Sequence, residues 1–279
     1  MRTDLAKESG IPERNLKGIS KYVKHEAGAE ILLIDVETKE AAEKLDKPIG
    51  RYITVTSSME SMMDRDARMT LSKIVSRELR TLVQNSQNTL VVGLGNRYIA
   101  ADALGTKTAE YVFVTRHVLK HMKGVLPQRT PSVSAFCSNV LGMTGMETVE
   151  VVSALTKEIA PDVVILIDSL AASRVEHLGC VIQCNDSGIA PGAGVGNFQT
   201  ILSKESLGVP VIAVGVPLVV GIESILGKTR SSCDASVKNM IVTPKEIDMM
   251  VKDASRVLSD AINLMLFGDT YNEIEKLLR

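Results

Sequence analysis

Short apolar runs bounded by turn residues alternate along this chain with stretches in which apolar positions recur every three or four residues, the signature of strands interleaved with helices. Ala29 to Val36 (AEILLIDV) reads as a buried strand and Tyr52 to Thr56 as a shorter alternating one. From Asp64 to Asn85 the period changes: Leu71, Ile74, Val75, Leu79, Leu82 and Val83 form one helical face, and Arg65, Lys73, Arg77 and Arg80 lie on the other. Further strands are predicted at Thr89–Leu94, Val133–Phe136, Asp162–Ile167, Cys180–Gln183 and Pro210–Val214. Helices are predicted at Ala103–Met122 and Glu147–Ala160, with a single turn at Ser203–Leu207. Thr243-Pro244-Lys245-Glu246 has the form of a capping box with Pro at the first helical position, so a long helix is expected from there to a C-cap at Gly268.

Strands that are apolar throughout, separated by helical crossovers, are those of a parallel sheet covered on both faces. The expected fold is α/β, a central mostly parallel sheet flanked by helices, with Lys17–Glu60 and Gly221–Val242 as additions to the sheet. No repeat or low-complexity linker divides the sequence, so residues 1–279 are read as a single domain. In such sheets ligands sit at the strand ends, and each Gly cluster here lies at one.

Composition narrows the chemistry. The 279 residues carry 32 Lys+Arg against 33 Asp+Glu, and aromatics make up 3% with no Trp, so neither a basic groove nor a stacking platform for direct nucleic-acid binding is apparent. No apolar stretch is long enough to span a bilayer, and a signal-peptide core is absent from Met1 to Asn15. The four Cys (Cys137, Cys180, Cys184, Cys233) follow no metal-binding spacing and read as reduced thiols of a cytoplasmic protein. His117 and His121 are four apart on a predicted helix but lack the Glu of a zinc-binding helix, while His25 and His177 stand alone. No metal or cofactor is expected, and the chemistry falls to carboxylates.

Three constellations stand out. In Val91-Val92-Gly93-Leu94-Gly95-Asn96 a strand ends in Gly-x-Gly, and Asp102-Ala103-Leu104-Gly105 follows at the mouth of a helix, where Asp102 by pattern alone is first an N-cap. In Ile167-Asp168-Ser169-Leu170 an Asp stands where the strongest apolar strand runs out. If the two strands are neighbours, Asp102 and Asp168 face one cleft, sharing a proton for acid–base work or holding a divalent metal. The third, Asn185 to Asn197, has four glycines in nine residues but no P-loop ending; it is either a tight connection or a backbone wall for an extended peptide. Candidate substrate-contacting positions are Gly93, Gly95, Asn96, Asp186, Gly192, Gly194 and Gly196.

In order, these blocks together with Val114-Thr115-Arg116-His117, Thr144-Gly145-Met146-Glu147-Thr148 and Gly208-Val209-Pro210-Val211-Ile212-Ala213-Val214-Gly215-Val216-Pro217 resemble the germination protease (spore protease) family over nearly the whole chain. The resemblance implies a fold akin to the hydrogenase maturation proteases and an endopeptidase that degrades small acid-soluble spore proteins in the spore cytoplasm. It also implies a zymogen that cleaves itself near the N-terminus, assembled as a homotetramer. The family's two proposed catalytic aspartates fall on Asp102 and Asp168. Arg2-Thr3-Asp4-Leu5-Ala6 resembles the acidic–aliphatic–Ala junction that the family cuts, which places self-cleavage at Asp4-Leu5 and leaves a short pro-segment of about residues 1–4. Departures from the family pattern are Ala101 for Pro, Ser169 for Ala, and the cysteines Cys137, Cys180 and Cys184. Two other readings remain open on the residues: a metal-dependent hydrogenase-maturation-like peptidase, and a phosphate- or small-molecule-binding α/β protein without peptidase activity.

Overall fold

The computed structural model describes residues 3–9, 17–83, 86–192, 200–226 and 240–278. Nine described strands form one sheet: β1 (Ile19–Glu26), β2 (Ala29–Val36), β3 (Gly50–Thr56), β4 (Asn88–Gly93), β5 (Ser132–Cys137), β6 (Val163–Ala172), β7 (Val181–Asn185), β8 (Val211–Gly221) and β9 (Ile241–Val242). Their order is β1-β2-β3-β7-β8-β6-β4-β5, with β9 on β8. From β8 to β5 the strands run parallel, and from β8 back to β1 they alternate antiparallel. The segment 17–60 thus extends the sheet as expected. β1, a strand the periodicity did not mark, is its outer edge, and its residues are exposed or only partly buried, which leaves no apolar stripe to read.

The parallel strands are buried on both faces because helices cover both. On one face Val91, Ile165, Ile167, Ile182 and Val214 pack under helices Arg65–Leu82, Leu104–Tyr111 and Ile247–Phe267. On the other, Leu90, Val92, Val164 and Leu166 meet Val152 of helix Thr148–Ile159, Leu202 just before the short turn and Leu207 within it. Alternate strand residues therefore serve different cores.

Two predicted helices differ. The expected helix Ala103–Met122 is two helices, Leu104–Tyr111 and Arg116–His121. Asn263 breaks it: its Oδ1 accepts from Phe113 N–H (2.9 Å) and its Nδ2 donates to the Tyr111 carbonyl (3.1 Å), taking groups a continuing helix would have used. The freed Phe113 ring packs against Phe267 and Tyr271. The long helix starts at Ile247 rather than at the Thr243 capping box, and its N-cap Glu246 makes no side-chain cap. Val242 is held extended against Val220 of β8, so Thr243 leaves the sheet as strand before the chain can coil. The C-cap at Gly268 (φ 52°) is as predicted.

Candidate active site

β4 and β6 are hydrogen-bonded neighbours, Gly93 opposite Ile167, and the chain beyond them carries both aspartates to one place. Asp102 and Asp168 line a single cavity of about 380 Å³, together with Gly95, Thr148, Ser169 and Gly192.

Asp102 reaches the cavity through close backbone packing. A side chain on Gly105 would meet the Leu94 N–H at 2.5 Å, and one on Gly93 the Thr106 N–H at 2.9 Å, so the helix start lies directly on the strand ends. The N-cap of that helix is Ala103, not Asp102. Asp102 instead ends a 3-10 turn, Ala100–Asp102, and its Oδ2 accepts from the Asn96 N–H at 2.8 Å. Gly95, at φ 92°, lets the loop pass: a Cβ there would stand 2.7 Å from Asp102 Oδ1. Burial pushes the Asp102 carboxyl upward, and the Asn96 N–H opposes that shift.

Asp168 is not at the end of its strand. β6 continues to Ala172 because Ser169–Ala172 stay paired with β8 across a bulge at Leu170/Ala171. Asp168 follows the alternation of Val164 and Leu166, and it emerges where helix Thr148–Ile159 begins, so that face opens into the cavity. It is almost fully buried. Burial raises its carboxyl well above the ordinary value; the Asp102 charge and, less strongly, that of Asp4 add to this, against one N–H from Ser169 (2.8 Å).

The other predicted positions divide. Gly95 and Gly192 line the cavity; Gly93 is a packing position and Asn96 acts through its N–H on Asp102. Asp186, expected among the substrate contacts, lies outside the cavity with its Oδ1 on the Arg51 N–H (2.7 Å), closing the β3–β7 ladder. Gly194 and Gly196 fall outside the described residues. Among the described residues no group of three or more His, Cys, Asp or Glu is placed to hold a metal, and His117 and His121 sit exposed on their short helix. No described helix is long and apolar enough to cross a membrane.

The N-terminal residues come to the same place. Asp4 lines the cavity, and Leu5 is fully buried in the main core. Gln183 binds on both sides of the Asp4-Leu5 peptide: its Nε2 donates to the Asp4 carbonyl (2.9 Å) and its Oε1 accepts from the Ala6 N–H (2.6 Å). His177 does not stand alone either. Its Nδ1 lies 2.6 Å from Glu8 Oε1, while Glu8 Oε2 accepts from the Ser173 N–H (2.7 Å) and the Thr3 hydroxyl. Burial raises the Glu8 carboxyl, but the bonds from Thr3, Ser173 and His177 outweigh it and the net shift is downward. Sequence reasoning missed the roles of Gln183 and His177, whose partners are 169 to 179 residues away along the chain.

The sequence model of a family described as germination protease matches residues 1–232. Among curated proteins, a germination protease of Caldanaerobacter subterraneus subsp. tengcongensis is 35% identical, covering 100% of this chain and 98% of its own. One from Clostridium perfringens is 34% identical over 95% of each, and one from Bacillus subtilis 38% identical over 82% of this chain and 66% of its own. Among solved structures, a [NiFe] hydrogenase maturation protease, HycI from Thermococcus kodakarensis, aligns with a TM-score of 0.36 and 16% identity, over 66% of this chain and 98% of that one.

Proposed function

The chain belongs to the germination protease family, and from that premise we propose that it is an endopeptidase in which Asp102 and Asp168 activate water for attack on a peptide carbonyl. The observation that carries this reading is the meeting of two carboxylates from neighbouring strands in one cavity, one far more deeply buried than the other.

Their different environments support a division of roles. Asp168, buried and beside a like charge, favours its protonated form and is the acid; Asp102, held by the Asn96 N–H and nearer to solvent, is the base. Asp102 takes a proton as the water oxygen bonds to the carbonyl carbon. Asp168 then gives its proton to the amide nitrogen as the carbon–nitrogen bond breaks, and a proton passing between the two carboxyls restores the pair.

Substrates on this reading are the small acid-soluble spore proteins, met in the spore cytoplasm by a homotetramer. The chain is also its own substrate at Asp4-Leu5, a junction supported by its position beside the cavity. The decisive experiment incubates purified chain with such a spore protein and maps the cut sites by mass spectrometry. Cleavage next to acidic residues is expected in the wild type, and a loss of about 10²–10⁴-fold in Asp102→Asn and Asp168→Asn. Near-full activity in either folded variant refutes the assignment.

A further inference from the structure

Helix Thr148–Ile159 begins at the wall of the aspartate cavity, and Thr148, its first residue, lines that cavity. The N–H groups of Glu150 and Val151 are taken by the Glu147 carbonyl (3.1 and 3.3 Å), and the Glu147 N–H goes to Glu150 Oε2 (3.1 Å). That leaves the N–H groups of Thr148 and Val149, which have no partner among the described residues.

The Thr148 side chain is unspent in the same way. Further along the helix, Thr156 gives its hydroxyl to the Val152 carbonyl (2.8 Å), the bond a helix interior offers to Thr. Thr148 has no helical turn behind it to accept such a bond. Its Oγ1 has no partner among the described residues, although the residue is only 7% exposed. Ser138 Oγ and Ser169 Oγ are sealed in without a partner; Thr148 Oγ1 is not sealed, and the space that Thr148 borders is the cavity. The aspartates do not take these donors either, since Asp102 Oδ2 accepts from the Asn96 N–H and Asp168 Oδ1 from the Ser169 N–H. Unpaired donors at a buried position cost stability, and a partner that arrives with the substrate offsets that cost. A hydroxyl and an N–H at the positive end of a twelve-residue helix suit an oxygen that gains negative charge.

We propose that Thr148 is a catalytic residue of the peptidase, its hydroxyl and N–H donating to the carbonyl oxygen of the scissile bond. As the water oxygen bonds to the carbonyl carbon, the carbonyl π pair moves onto that oxygen, and Thr148 holds the charge in place. The pair returns to re-form the carbonyl as the carbon–nitrogen bond breaks and the Asp168 proton passes to the amide nitrogen. Asp102 and Asp168 move protons; Thr148 moves none. The inference rests on the peptidase reading and adds to it the group that stabilises the intermediate.

The test measures kcat and KM for a small acid-soluble spore protein in the full chain and three variants. Thr148→Val removes the hydroxyl at nearly constant shape, and kcat is expected to fall about 10²-fold while KM stays within about threefold. Thr148→Ser returns the hydroxyl and is expected to recover kcat to within about tenfold of wild type. Thr148→Pro removes the hydroxyl and the N–H together at a position that suits Pro, because Glu147 before it is already extended (φ −64°, ψ 137°) and no helical bond is lost. Its melting temperature is expected to match or exceed that of the wild type, while kcat falls about tenfold below that of the Val variant. A catalytic loss without a loss of stability is not what a merely structural Thr148 would give. Wild-type kcat in the Val variant, a change confined to KM, or a Ser variant as slow as the Val variant overturns the role of Thr148 and leaves the two aspartates standing. A wild type that cleaves no spore protein overturns both.

Discussion

Asp168 occupies a position that hydrophobic burial alone would give to Val or Ile: it is inside a strand covered on both faces, with one N–H for its carboxylate and another carboxylate as neighbour. Its folded-state pKa lies above the unfolded one. The stability it contributes is therefore complete below the ordinary carboxylate pKa, near 4, and is lost as pH rises through the raised value, at about 1.4 kcal/mol for each pH unit separating the two. Asp168→Asn removes that dependence. Its melting temperature relative to wild type should climb between pH 4 and pH 8, as followed by circular dichroism; a difference that does not change with pH contradicts the buried, proton-holding carboxyl. The pairing was legible because each acid follows a strand end, Asp102 after Gly93-Leu94-Gly95 and Asp168 after the apolar run 163–167, and the family resemblance falls on the same two. The depth of Asp168 was not, since Asp168-Ser169 reads as a turn after the apolar run and only pairing with β8 shows that the strand goes on. Asp102 likewise looked like a cap, until the packing of Gly93 on Gly105 turned it back towards Asn96.

Among the elements, the loop from β4 into helix Leu104–Tyr111 sets the reactive geometry, and its glycines can be separated by what surrounds them. Gly28, at φ 80° in the β1–β2 hairpin, has nothing within 4 Å of an added Cβ, whereas Gly95, at φ 92°, has Asp102 against it. Both alanine variants bear the strain of a positive φ, roughly 1–3 kcal/mol, but only Gly95→Ala must also move the Asp102 carboxyl. Gly28→Ala should lower the melting temperature and keep the cleavage rate; Gly95→Ala should lose both, with at least about a tenfold drop in rate. Equal rates in the two variants would show that Asp102 tolerates displacement. Helix and strand positions were mostly readable from periodicity, and the exceptions share a cause. Asn263 ends one helix from 150 residues away, and β8 delays another through its pairing with Val242. Local pattern holds no record of such distant partners.

For the whole molecule, the sheet is a parallel half that carries the aspartates and an antiparallel half, from β7 to β1, that carries Gln183 and borders Lys47. The N-terminal segment crosses the boundary and ties the two together, and the Glu8–His177 pair is its charged contact: the side chains are 1% and 11% exposed. Glu8 has a lowered carboxyl pKa, so its contribution is present above the unfolded value and fades as pH falls through the folded one. Glu8→Gln should cost about 1–3 kcal/mol at neutral pH, and it should speed hydrogen exchange at Leu5 and Ala6 while β4 and β6 amides stay protected. Uniform loss of protection would mean that the segment is no separate unit. The three-layer plan and the additions at 17–60 followed from the alternation of apolar runs, but which half of the sheet the first residues join is a matter of tertiary docking alone.

That docking carries a consequence in time. Thr3 to Glu8 leave the ribosome well before Ala171, Ser173, His177 and Gln183, which hold them and are made 165 to 179 residues later. At synthesis rates of about 5–20 residues per second, the Asp4-Leu5 bond travels for roughly ten to thirty seconds with no groove to shelter it. A finished copy nearby can meet the bond in that interval as it would any loose peptide, and once β7 is in place the same bond lies in its groove, tied to Gln183.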